Sequence, residues 1–446
     1  MTVVNTSRFP RRATRATLTE SPMDRRDFLR YLAAGATLVA LPDELLAAAP
    51  TGARVLPGID VLERQGFASI KGKRVGLLTH PAGVNARGER SMDVLLRART
   101  QGVRLVKLFG PEHGIYGTEK AEIPIQNTID RRTGLPVFSL YGKTRKPTPD
   151  MLAGLDAMLI DLQDVGCRSY TYVSCMRFVI EACFEAGVQV IVLDRPNPCG
   201  GLIVDGPGRD KEFESYVGEY PVPYVHGLTI GELALMATGT SGWLTLSPKA
   251  AANGRLTVIP MSGWKRSMRW EHTGLAWRPT SPAIPTKEAA IGYGMTGLGC
   301  QLGDFYHGYN GLFQFRWVGH KGRKAGEIAY EFKRAAVPGL DVQPRMMRDG
   351  GQGVYLDIND WNTIRPTEIS FHMMRIACQW SRKNPFLAAS ADAGLLFNKH
   401  TGSRAWFQEL RTKGAGADVK GFVARWVADC NRFKAQRAKF LLPYYS

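Results

Sequence analysis

The residues of this chain best suited to chemistry sit directly behind short apolar runs. In "VRLVKLFGPEHGIYG" such a run is followed by Glu112 and His113, set between a proline and a glycine. A plain turn uses the glycine and the proline, but it has no need of a carboxylate beside an imidazole. Other runs end in the same way. "GLLTHPAGVN" delivers His80, and "IDLQDVGCRSYTY" delivers Asp161, Gln163, Asp164, Arg168, Tyr170 and Tyr172. "VLDRPNPCGG" delivers Asp194, Arg195 and Asn197, and "YVHGLT" adds His226 just before a predicted helix. In an open parallel α/β sheet, ligands bind beyond the carboxyl ends of the strands, so these ends are expected to meet along one edge. Carboxyl groups placed there can act as general acid, base or nucleophile. The tyrosine hydroxyls suit the polar edge of a sugar.

Each residue also has a structural alternative. Glu112 can bridge to a surface lysine, His113 and His226 can be satisfied core histidines, and Asp161 can cap a helix. Arg168 and Arg195 can pair with Asp164 and Asp194, because such ion pairs are common without any catalytic role. The seven cysteines contain no C-x-x-C, so neither a zinc nor a redox motif is expected. "GYGMTGLG", from Gly292, matches G-x-G-x-x-G. A dinucleotide site needs a strand before that pattern and a helix after it. Neither is predicted, so the segment reads as a glycine-rich inter-domain turn, and no cofactor is expected.

The elements that must position these residues follow from periodicity. "KRVGLLTH", "VRLVKLFG", "LPVFSLYG", "AMLIDLQD" and "VQVIVLD" read as buried strands, with helices in "SMDVLLRARTQG" and "SCMRFVIEACFEAG" between them. Continuous apolar strands alternating with helices predict a parallel sheet covered on both faces. "LTIGELALMATG" predicts a further helix with a capping box, Thr229 paired with Glu232. "WRPTSPAIPTKEAA" reads as a linker. The boundary is placed near residue 290, giving a Rossmann-like domain over 51–290 and a smaller α/β domain over 291–446 that closes a cleft.

Composition narrows the function classes. With 44% hydrophobic and 22% charged residues the chain is that of a soluble globular protein. Its net charge of +18 favours an anionic partner. Nucleic acid is disfavoured, since no reading motif or long basic block occurs. Residues 1–50 read as an N-terminal extension and an export signal: Arg25 and Arg26 precede Phe28 and Leu29, then a short apolar stretch, then "LLAAA". This pattern resembles a twin-arginine signal. The twin-arginine machinery is thus an expected partner and the periplasm or exterior the expected location, with no stable membrane span in the mature protein.

Several long motifs, "GLLTHPAGVN", "FGPEHGIYG", "LPVFSLYGKTRKPT", "IDLQDVGCRSYTY", "VLDRPNPCGG", "DGP" and "HGLTIGELA", occur in the order seen in the NamZ-like exo-β-N-acetylmuramidases, glycoside hydrolase family 171, which this chain resembles from about residue 52 to its end. The resemblance implies a Rossmann-like catalytic domain, removal of terminal N-acetylmuramic acid from peptidoglycan fragments, and a cleft glutamate as general acid, carried onto Glu112 by "PEHG". A second carboxylate must stabilise the cationic sugar, with Asp161, Asp164 and Asp194 as candidates. The chain departs from the family between residues 300 and 311. There "CQLGDFYHGYNG" sets Gln301, Asp304, His307 and Tyr309 where relatives carry Glu, Asn, Glu and Arg. Asp304 and His307 are counted among the expected sugar contacts. With Tyr309 in place of an arginine, Arg168 and Arg195 become the expected readers of the muramyl carboxylate, and a weakened muramic acid preference is expected.

Overall fold

Seven of the eight strands in the larger sheet run parallel, and the central ones, over residues 75–79, 157–161 and 190–193, are buried along their whole length and so must be covered on both faces. The computed structural model of the protein describes residues 36–38, 54–117, 128–142 and 144–446. Arg25 and Arg26 lie outside them. The strands are β1 Ala36–Leu38, β2 Arg74–Thr79, β3 Arg104–Gly110, β4 Thr128–Ile129, β5 Pro136–Ser139, β6 Ala157–Asp161, β7 Gln189–Leu193 and β8 Leu256–Ile259. Their order is β1-β8-β7-β6-β2-β3-β5-β4, with only β4 antiparallel to its neighbour. Alternate residues serve opposite cores. Leu77, Leu159 and Ile191 pack on one face with the helices Gly58–Arg64 and Ser91–Arg97. Leu78, Ile160 and Val192 pack on the other with Tyr172–Glu185 and Ile230–Gly239. The predicted capping box is present, Thr229 accepting from the Glu232 backbone and Glu232 from that of Thr229.

From β2 the chain winds outward through β3 to β5, then returns to the other side of β2 with β6 and continues to β7 and β8. The reversal falls between β2 and β6, where doubly wound sheets open a crevice for ligands. His80 and Gln163 flank that point, and the Gln163 backbone N–H donates to His80 Nε2 at 2.8 Å across it.

A smaller antiparallel sheet, order β11-β12-β10-β9, follows: β9 Phe305–His307, β10 Trp317–His320, β11 Leu340–Met346 and β12 Gln352–Ile358. The glycine-rich segment read as a turn is instead helical, Lys287–Thr296, and runs across residue 290. Its glycines serve close packing. A Cβ on Gly292 would fall 2.7 Å from the Phe315 carbonyl oxygen, and one on Gly294 would fall 3.1 Å from Cys167 Sγ. No phosphate-cradling loop exists at this place. The C-terminal helices rejoin the first sheet, for Trp406, Trp426 and Tyr445 belong to the same core as Ile160 and Val192.

Candidate active site

The turn after β3 carries Glu112, half-buried, whose Oε2 accepts a 3.0 Å bond from Thr171 Oγ1 at the start of the helix Tyr172–Glu185. The Tyr172 hydroxyl reaches the Glu112 backbone oxygen at 3.3 Å and the Thr280 oxygen at 2.6 Å. His113 holds φ at +71°, a left-handed conformation that a non-glycine residue adopts only when its surroundings impose it. Near Glu112 lies Tyr216, whose hydroxyl is buried without a hydrogen-bond partner among the described residues. Burial, with smaller contributions from Cys175 and Glu112, holds that hydroxyl well above its ordinary pKa, so it stays protonated.

Beside this turn opens a cavity of about 580 Å³, within the range usual for small-ligand sites. Its walls come from Pro81, Val84, Gly88 and Arg90 after β2, Ile115, Tyr116 and Gly117 after the Glu112 turn, and Arg278 to Pro282. A second hollow of about 30 Å³, also lined by Val84, Gly88 and Arg278, lies over Asn85, Gln163 and Arg195. Among the described residues lining the larger cavity are Arg90 and Arg278 but no carboxylate. Tyr170 and Tyr172 do not stack idly: their hydroxyls clamp Thr280, at Oγ1 (2.8 Å) and O (2.6 Å), and so fix the 278–282 wall. That wall is the segment read as a linker.

The remaining strand-end residues are mostly satisfied by partners within the fold. Asp161 is fully buried and grips Arg195 with both oxygens (2.5 and 2.9 Å) while accepting from Ser91. The expected partner of Arg195, Asp194, instead accepts from Arg195 N, Thr229 Oγ1, Gly231 N and Tyr445 OH. Burial pushes the Asp194 carboxyl up to about 7 against these donors. Arg168 does not pair with Asp164. Its guanidinium is buried among the carbonyls of Pro207, Val222 and His400, and burial pulls it down to about 10. Asn197 spans Leu228 O and Cys199 N. His80, buried and next to Arg195, is held neutral with its pKa lowered to about 3. Of the three candidate partner carboxylates only Asp164 keeps an oxygen to spare: Oδ1 is buried without a partner, while Oδ2 accepts from Gly166 N at 2.8 Å. His226 Nε2 lies 3.7 Å from that Oδ2.

The divergent 300–311 stretch takes no part in either cavity, whose walls end at Pro282. Asp304 is exposed near Lys321 (3.6 Å), at the far side of β9. His307 stacks on Phe315 (3.8 Å) and meets Gln314. Tyr309 donates to Asp349 at 2.8 Å. His307 thus belongs to β9, with Asp304 and Tyr309 flanking that strand, and none of the three lines either cavity. Sequence reasoning missed Arg90, Tyr116, Arg278 and Thr280. The available signal was that residues 272–287 include one arginine and not a single carboxylate to neutralise it.

Comparison with known proteins agrees with this architecture. Residues 75–288 match the family model described as "Exo-beta-N-acetylmuramidase NamZ, N-terminal", and residues 293–444 match its C-terminal counterpart. The chain is 34% identical over 399 residues to the peptidoglycan β-N-acetylmuramidase NamZ of Bacillus subtilis (strain 168), covering 87% of this chain and 91% of that one. Two crystal structures of DUF1343 family proteins from Bacteroides fragilis NCTC 9343 superpose on it. One has a TM-score of 0.76 at 36% identity, covering 86% of this chain and 98% of that one. The other has a TM-score of 0.61 at 27% identity, covering 87% and 99%.

Proposed function

The chain belongs to the NamZ family of exo-β-N-acetylmuramidases, and from that membership we propose that it releases terminal N-acetylmuramic acid from peptidoglycan fragments, with Glu112 as general acid. The observation that carries this reading is the Glu112 turn itself: a half-buried carboxyl anchored by Thr171, in a strained loop, beside a cavity lined by two arginines at the carboxyl ends of β2 and β3. Glycosidic cleavage needs a proton delivered to the departing oxygen as the sugar becomes cationic. The Thr171 bond holds one oxygen of Glu112 in place and leaves the other to donate. Asp164, whose Oδ1 is unpartnered, is the one of the three candidates with an oxygen free to meet the developing positive charge.

The test is Glu112→Gln, which keeps the Thr171 contact but cannot donate a proton. Turnover of the natural disaccharide is expected to fall about 10²- to 10⁴-fold, with sugar binding retained. The loss shrinks on an aryl glycoside, whose leaving group needs less protonation. Near-wild-type rates on disaccharide would move the acid to another residue, and binding with no turnover in the wild type would make the protein a wall-fragment receptor.

We also propose export by the twin-arginine route, which carries folded proteins. All seven cysteines are free thiols and five of them are buried, as suits a chain that folds in a reducing compartment before transport. Replacing Arg25 and Arg26 by Lys is expected to leave unprocessed protein in the cytoplasm, detected by fractionation. Unimpaired export of that variant would dismiss the route.

A further inference from the structure

Two guanidiniums face the 580 Å³ cavity, and among the described residues no carboxylate pairs with either. Arg90 lies over the Tyr116 ring at 5.0 Å, which holds its charge at the cavity wall. Arg278 lines both the large cavity and the small hollow beside it. Its backbone is fixed from two sides: Thr280 is clamped by Tyr170 and Tyr172, and the Trp277 ring packs on Trp270 at 4.7 Å. The 85–90 loop makes room for it. A Cβ on Gly88 would fall 2.9 Å from Arg278 Nη2, so a larger residue there would displace the guanidinium. The strand-end arginines offer no substitute, Arg195 being held by Asp161 and Arg168 by backbone carbonyls.

A cavity lined by two exposed arginines, with no carboxylate among its described lining residues, favours an anion. The substrate proposed above differs from N-acetylglucosamine by a lactyl ether that ends in a carboxylate. A guanidinium fork binds a planar carboxylate through two parallel N–H bonds, a geometry that neither a lone ammonium nor a hydroxyl reproduces. We propose that Arg278 is the specificity-determining residue of this enzyme, reading the lactyl carboxylate of the muramyl ring, with Arg90 supplying the second positive charge. The assignment rests on the hydrolase reading of the same site. It reverses the expectation of a weakened muramic acid preference drawn from Tyr309, because the reader stands on a different loop.

The test compares matched aryl β-glycosides of N-acetylmuramic acid and N-acetylglucosamine on wild type, Arg278→Met and Arg278→Lys. The ratio of kcat/KM values, muramic over glucosamine, is expected to exceed one in the wild type. It should drop about 10- to 100-fold in Arg278→Met, the range for a lost bond to a charged group. Arg278→Lys should recover part of the ratio. A ratio unchanged in Arg278→Met, or no preference in the wild type, overturns the assignment while leaving the hydrolase reading in place. If the wild type cleaves neither glycoside, the hydrolase reading falls and calorimetric titration with N-acetylmuramic acid decides the assignment. Binding that weakens in Arg278→Met supports it. Binding absent from the wild type, or equal in the variant, overturns it.

Discussion

His80 lies beneath the crevice with Nε2 accepting from Gln163 N and its ring set edge-on to Tyr172 at 4.9 Å. Burial and the neighbouring Arg195 lower its pKa from 6.5 to about 3, so the folded protein keeps the ring neutral where the unfolded chain protonates it. Stability contributed by the neutral ring is present above pH 6.5 and lost as pH falls toward 3, costing roughly 2 kcal/mol by about pH 5. His80→Gln retains an acceptor for the Gln163 N–H without a titrating group. It is expected to be less stable than the wild type at pH 7.5 yet to lose less on acidification, read as urea midpoints at the two pH values. Equal acid loss in both proteins would place the sensitivity elsewhere. The same burial explains which site residues were legible. That Asp161, Asp194, Arg195 and Asn197 reach the sheet edge follows from the pattern of apolar runs. That they are consumed within the fold does not, because a buried strand end must first satisfy its own polar groups. The residues left over for a ligand, Arg90 and Arg278, lay in segments with no chemical motif.

At the scale of elements, legibility tracks how local the cause is. β2, β6 and β7 were readable because burial on both faces leaves unbroken apolar runs, β3 and β5 because they remain mostly apolar, and the Thr229–Glu232 box because both partners lie within one turn. β8 was missed: "LTVI" sits amid Gly, Ser and Trp, and its pairing with β7 and β1 makes it a strand. The helix Lys287–Thr296 was missed for the opposite reason. Gly292, Gly294 and the neighbouring Gly297 argue against helix by propensity, but the close approach of Phe315 and Cys167 demands small residues at 292 and 294. The Pro-rich 278–285 segment resembles a linker in composition, yet two tyrosine hydroxyls from a distant helix start turn it into a rigid cavity wall. In the 300–311 stretch the altered residues are explained by the second sheet they build, with Tyr309 and Asn310 both donating to Asp349. A divergence from the family is thus no guide to the cavity unless the fold carries it there.

Over the whole molecule, the last residues of the chain complete the core of the first sheet. Arg437 donates to the carbonyls of His226, Gly227 and Gly201, Leu442 N to Glu232, and Tyr445 OH to Asp194 at 2.6 Å. The loop before the helix Ile230–Gly239 is therefore held by Arg437, and the strand end at Asp194 by Tyr445, a long-range closure on the site's own scaffold. Asp194 reports on it. Its folded pKa of about 7 stands above the ordinary carboxyl value of 3.8, so the folded state holds this proton longer than the unfolded chain. Its stabilising contribution is whole below pH 3.8 and is lost as pH rises through 7. Tyr445→Phe removes a donor that favours the ionised carboxylate and strands the Met261 N–H that Tyr445 accepts at 2.8 Å. The stranded amide costs about 1 to 2 kcal/mol at any pH, whereas the lost bond to the carboxylate adds about 1.5 to 3 kcal/mol only where Asp194 is ionised. The destabilisation is therefore expected to be larger at pH 8.5 than at pH 5, measured as the difference in unfolding free energy between variant and wild type at each pH. Groups that titrate alike in both proteins cancel in that double difference. A penalty of the same size at both pH values would mean that the tail supports the loop by packing alone, with no coupling to the Asp194 proton.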